Sequence, residues 1–128
     1  MAMKVDKLTE LKVILKKKQK PEKILNTIFL FLGFKNTEIK LYKLLLNKKL
    51  TINQIKKRMN VTERTIRGHI NSLLEKQLIT RKVVTEGKRL KYVYSSVPIA
   101  KAWQIIKKQI DKTMEETNRV FEKMNLLS

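Results

Sequence analysis

The stretch Asn60–Leu78, NVTERTIRGHINSLLEKQL, decides the reading of this chain. Thr62 stands where a helix N-cap is needed, and Glu63 behind it suits the positive end of the helix dipole. Ile66, Ile70 and Leu73 then recur at helical spacing, with Leu74 and Gln77 alongside them, and predict the face turned to a core. The opposite face carries Glu63, Arg64, Arg67, Gly68 and Asn71. A helix over 63–77 with one apolar face and one basic face has the form of a recognition helix in a helix-turn-helix.

The neighbours of this stretch support that form. Thr51 caps a short helix, Ile52–Met59, with Ile52, Ile55 and Met59 inward, and Asn60 and Val61 make the turn. After Leu78 the period changes from helical to alternating. Ile79–Thr85 and Leu90–Ser95 flank Glu86-Gly87-Lys88-Arg89, which predicts a two-stranded hairpin. Upstream, Asn36–Leu46 reads as a helix with Ile39, Leu41, Tyr42, Leu45 and Leu46 apolar, ended by Asn47. The predicted fold is mainly α with a small β wing: a winged helix-turn-helix over 35–96.

Two flanking segments complete the organisation. Residues 1–34 predict a helix Val5–Lys18 and a second, nearly all apolar helix from Pro21 to Leu32, closed by Gly33. The first ends in the basic run Lys16, Lys17, Lys18 and Lys20. It reads as an arm for DNA; a membrane-surface helix fits less well, because Trp and Phe are missing from it. Residues 97–128 start a long helix at Pro98. There Ile99, Trp103, Ile106, Ile110, Thr113, Thr117, Val120, Met124 and Leu127 follow heptad spacing, widened by Met114 and Phe121. Such a seam predicts a coiled-coil mate, with packing on its own domain as the alternative.

Composition narrows the function. The net charge is +19, and residues 35–96 alone carry 16 basic and 4 acidic side chains, a net +12. Charge concentrated around the recognition helix points to a polyanion, because cations that neutralise phosphates release condensed counterions. A solvated basic surface is the alternative. The chain has no cysteine and one histidine, His69. Disulfides, thiolate metal sites, Cys nucleophiles and paired histidines are therefore excluded. His69 falls between the two faces and reads as a half-buried structural side chain. No acid–base pair or glycine-rich phosphate loop is visible, so no catalysis and no cofactor are expected. The longest apolar run, Ile24–Phe34, is shorter than the ~20 residues a bilayer requires. A soluble, cytoplasmic, nucleoid-associated protein is expected.

The motifs, in order, resemble the TrmB-like family of archaeal winged-helix regulators within the broader MarR and ArsR group. The resemblance runs through Leu32-Gly33-Phe34, Glu38-Ile39-Lys40-Leu41-Tyr42, Thr51-Ile52-Asn53-Gln54-Ile55, Val61-Thr62-Glu63-Arg64-Thr65-Ile66, Leu73–Ile79 and the wing. It covers about half the chain. The family usually has Thr at the position of Lys35, so the helix cap there is expected to shift to Asn36 or to be lost. It usually has Gly at the position of Gln77, so the end of the recognition helix is expected to differ. Members often append a sugar-sensing domain, to which nothing in these residues corresponds, so effector binding is not carried over.

The reading is a homodimer on double-stranded DNA that regulates transcription. Arg67 is the first choice to read bases, then Arg64 and Asn71, with Gly68 letting DNA approach closely. Thr62, Thr65, Lys56, Lys57, Arg58, Lys88, Arg89 and Lys91 are candidates for the phosphate backbone. Ile99, Trp103, Ile106, Ile110, Thr117, Phe121 and Met124 are candidates for the dimer seam. Two alternatives stay open: an architectural protein with little sequence preference, since Lys far outnumbers Arg, and a protein-contact module within the transcription machinery.

Overall fold

A computed structural model describes residues 2–17 and 19–127, and side chains from residue 8 onward. The side chain of Val5 and residue Lys18, both in the first predicted helix, lie outside the described residues. The element order is α1 (Ala2–Lys16), α2 (Pro21–Phe31), α3 (Asn36–Leu44), α4 (Ile52–Arg58), α5 (Glu63–Glu75), β1 (Ile79–Glu86), β2 (Arg89–Ser96) and α6 (Ile99–Lys123).

One core joins α2 to the winged helix. Phe29 of α2 is 1% exposed; it stacks on Phe34 at 4.6 Å and meets the edge of Tyr42 in α3 at 5.4 Å. Aromatic pairs in these two geometries add about 0.5–1.5 kcal/mol beyond area burial. Ile55 of α4 and Ile66, Ile70 and Leu73 of α5 are all buried in the same cluster. The inward face predicted for α5 is thus observed, except that Gln77 is exposed rather than turned to the core.

Two helix ends bear on the expectations. At α3 the N-cap position stays at Lys35 rather than moving to Asn36, and the side-chain cap is lost, the second of the two outcomes expected there. A lysine side chain has no acceptor, so only half of a capping box survives: the Glu38 carboxylate accepts the Lys35 backbone N–H at 3.0 Å. The end of α5, expected to differ for want of a glycine, instead keeps the closure that a glycine usually makes. Gln77 takes φ +62, Gln77 N–H donates to Leu74 O at 3.0 Å, and Leu78 N–H donates to Leu73 O at 3.0 Å. That is a Schellman closure with a side chain in the left-handed region. It turns Leu78 inward, to 1% exposure, and starts the wing.

The wing is an antiparallel pair with Ile79 opposite Ser96 and Glu86 opposite Arg89. A two-residue turn, Gly87-Lys88, closes it, and Gly87 has φ +65, as a tight hairpin turn requires. Its base is anchored by hydrogen bonds. Leu50 and Tyr94 exchange backbone bonds at 3.0 and 2.8 Å, Ser96 Oγ donates to Tyr42 O at 2.7 Å, and Tyr42 Oη donates to Val97 O at 2.6 Å. Burial pushes the Tyr42 phenol up to about 12, so it stays a donor at neutral pH. Beyond Ile79 every residue of β1 is exposed.

The last helix divides in two. Ala102 and Ile106 are buried in the chain's own core, with Ile99 and Ile105 packed against it. From Lys107 to Lys123 every residue is exposed. Ile99 and Ile106, read as seam residues, therefore serve first to hold α6 on its own domain. The physical reason is that the core reaches only the first two turns of a helix about 37 Å long.

Candidate nucleic-acid interface

Helix α5 stands as a ridge whose outer face touches little else. Arg64, Thr65, Arg67, Gly68 and Asn71 are all exposed. Thr62 caps the helix: its oxygen accepts the Thr65 N–H at 3.2 Å, and its hydroxyl donates to Thr65 Oγ1 at 2.9 Å. Its proton is therefore committed inside the chain, whereas the Thr65 hydroxyl is free to donate outward. Arg67 Nε donates to Glu63 Oε2 at 3.1 Å. Both partners are about half exposed, so this pair is worth less than ~1 kcal/mol and is readily exchanged.

A cleft lies on each flank of the ridge. On the wing side, Arg67 faces Thr51, Asn53, Lys91 and Tyr92. Lys91 Nζ is 2.8 Å from Glu86 Oε2, and that bond holds the exposed Glu86 carboxyl below its ordinary value. Arg81 lies 4.6 Å from the Tyr92 ring centroid, stiffening the strand pair there. Lys56, Lys57 and Arg58 are exposed on α4, and Lys88 and Arg89 are exposed at the wing tip. The structure thus brings Arg67 and Lys91 to one cleft and leaves the α4 cations and the wing tip as separate patches.

On the opposite flank, Glu38 of α3 is a buried hub. Its Oε1 accepts the Lys35 N–H, and its Oε2 accepts the Ser72 hydroxyl at 2.9 Å. Lys76 Nζ donates to Ser72 Oγ at 2.8 Å and lies 3.8 Å from Glu38 Oε2. Burial pushes the Glu38 carboxyl up. The Lys35 N–H, the Ser72 hydroxyl and the Lys76 ammonium, with His69 nearby, outweigh that and hold it below the ordinary carboxylate value. The sequence marked Glu38 only as part of a family motif and gave no role to Ser72 or Lys76. Their signal was faint, because Ser72 lies 34 positions from its partner.

Residues 29–100 match the family described as "Sugar-specific transcriptional regulator TrmB". The chain belongs to the TrmB family. The match spans α3, α4, α5 and the wing, so the regulator is of the winged-helix type, as the two flanked faces of α5 require. A possible transcriptional regulator from Methanosarcina mazei Go1 has a similar structure, with TM-score 0.63 and 15% identity, over 79% of this chain and 88% of that one. A MepR mutant from a multidrug-resistant S. aureus clinical isolate aligns with TM-score 0.50 and 21% identity, over 93% and 91% of the two chains. At those identities the likeness establishes the fold. A comparison with curated proteins finds no significant match. Among the described residues, no helix is long and apolar enough to cross a membrane.

Proposed function

We propose that this TrmB-family chain is a sequence-specific, double-stranded DNA-binding regulator acting as a homodimer. The observation that carries the reading is the outer face of α5. It presents Arg64, Arg67, Gly68 and Asn71 to solvent, with the wing and the start of α4 on one flank and α3 on the other, while Ile66, Ile70 and Leu73 on the inner face are buried. A major groove about 12 Å wide admits such a helix, and one bidentate Arg–guanine contact is worth ~1–3 kcal/mol. That exceeds the exposed Glu63–Arg67 pair it replaces, so Arg67 is the first base reader and Arg64 and Asn71 follow. Thr65, Lys56, Lys57, Arg58, Lys88, Arg89 and Lys91 supply backbone contacts. Thr62 serves these indirectly, by capping α5.

The dimer reading rests on the distal half of α6. Ile110, Met114, Val120, Phe121 and Met124 are exposed along one stripe. The polar seam residue Thr117 satisfies its own hydroxyl by donating to Thr113 O at 2.8 Å, which makes it cheap to cover with apolar surface. A second copy packed there places two recognition helices on half-sites about one helical turn apart.

A competition assay on genomic fragments tests the reading. A regulator prefers its site over bulk DNA by ~10³ or more at physiological salt. A ratio near one favours the architectural alternative, to which the excess of Lys over Arg belongs. Replacing Arg64 and Arg67 together by Ala is expected to abolish that preference. Unaltered affinity and preference in the double variant would assign α5 to protein contact instead.

A further inference from the structure

A helix 10–12 Å across with its side chains fills a groove about 12 Å wide. Both sugar–phosphate strands must then run along its flanks. The wing, with Lys91 beside it, serves one flank. The other is a cleft of about 480 Å³ between α3 and α5, lined chiefly by Lys35, Glu38, Arg64, Gly68, Ser72 and Lys76. We propose that this cleft is a second backbone site, in which Lys35 and Lys76 hold a phosphate of the DNA strand on the side away from the wing. The proposal rests on the reading of α5 as the helix in the major groove.

Three features carry it. Cations outnumber carboxylates in the cleft, and its one carboxylate is turned inward, with a side chain only 8% exposed. Glu38 therefore anchors the site without repelling an anion at its mouth. Secondly, Lys76 is held in place: Ser72 and Glu38 fix its ammonium, which also lies 4.7 Å from the Phe34 ring centroid. An ammonium has three donors and only the one to Ser72 is at hydrogen-bond distance, so two remain for an anion, and the side chain is still 39% exposed. Lys35 is exposed opposite it and makes no ion pair among the described residues. Thirdly, Gly68 forms part of the wall. A Cβ built there meets nothing within 4 Å, so the chain's own packing does not require glycine. Its small size instead leaves the cleft open toward the ridge.

Fluorescence anisotropy with a labelled 30-base-pair duplex of mixed sequence, titrated between 50 and 200 mM salt, tests the site. Each lysine that neutralises a phosphate contributes about 1 to the slope of log K against log salt. Lys35→Gln and Lys76→Gln are each expected to lower the slope by about 1, and Lys35→Arg to restore it. Lys35→Gln spares every side-chain bond of the Glu38 hub, so it reads the site even if Lys76→Gln loosens the fold. An unchanged slope in folded Lys35→Gln, alongside weakened binding by Arg67→Ala, overturns the cleft and keeps the DNA reading. A wild-type protein that fails to bind the duplex overturns both. Inorganic phosphate at constant ionic strength is the other arm. If it raises the melting temperature of the wild type but not of Lys35→Gln, and the DNA slope is unchanged, the cleft serves a free phosphate and the proposal fails.

Discussion

Gly68 sits in the middle of α5, where glycine costs about 1 kcal/mol against alanine. Nothing inside the chain requires it, since a Cβ there has open space around it. Gly68→Ala should therefore stabilise the free protein by about 1 kcal/mol in urea unfolding while weakening binding to duplex DNA. Equal affinity of variant and wild type would leave the glycine without a role at the interface. Gln77 is the opposite case, a side chain held at φ +62. The left-handed region costs a non-glycine residue about 1–2 kcal/mol, and glycine's extra backbone freedom in the unfolded chain returns some of that. Gln77→Gly is expected to gain about 1 kcal/mol in the same measurement. A loss of stability would show that the exposed glutamine makes a compensating contact. Both residues were visible in the sequence as oddities. Only the backbone angle and the empty space around Cβ separate strain at one from opportunity at the other.

At the scale of elements, the joint between α3 and α5 is the Glu38 hub. Its folded carboxyl lies below the ordinary value of 4.5. A depressed acid stabilises the fold at pH values above its unfolded pKa, and that contribution is lost as pH falls through the folded pKa. Wild-type stability should therefore drop as the pH falls below 4.5. Glu38→Gln should be weaker at neutral pH by about 1–3 kcal/mol, the usual cost of disrupting hydrogen bonds to a buried charged group. It should also lose less on acidification. Chemical unfolding of both proteins from pH 7 to pH 3 checks this, and parallel curves would remove Glu38 as the acid-sensitive joint. The elements themselves were largely legible. Apolar spacing marked α5, the change of period at Leu78 marked the wing, and Thr51 and Thr62 marked two starts. The capping box at Thr51 is complete: Gln54 Oε1 accepts the Thr51 N–H at 2.9 Å and Thr51 Oγ1 accepts the Gln54 N–H at 3.3 Å. The cap at Lys35 was not legible, because Glu38 holds it from the third helical position with help from Ser72, which belongs to another helix.

At the scale of the whole molecule, α6 buries nothing in its own domain after Ile106, although Ile110 and Met114 still line a cleft beside Leu32 and Phe34. Exposed ion pairs such as Lys107–Asp111 and Arg119–Glu115 add only ~0.3–0.5 kcal/mol each. Most helical stability in proteins comes from tertiary packing of an amphipathic face, so the exposed stripe calls for a cover. Charged substitution at Ile110 and Phe121 together should yield a monomer by sedimentation equilibrium, with the winged helix still folded. An unchanged mass would place the dimer contact elsewhere. Ile106 is unsuitable for this experiment: it is 4% exposed, and a charge there would unfold the domain rather than dissociate a dimer.

What the sequence determined by itself is the set of local signals: helix periods, caps, the hairpin turn and a net +12 around one helix. These act between residues a few positions apart, so they can be read along a line. The tertiary structure alone decided which residues of one heptad seam face the chain's own core and which stay uncovered. It alone joined Glu38 to Ser72 and Lys76, and it alone placed a cleft on each side of α5. Ile106 and Ile110 are equivalent in spacing, and only the position at which the domain ends in space distinguishes them.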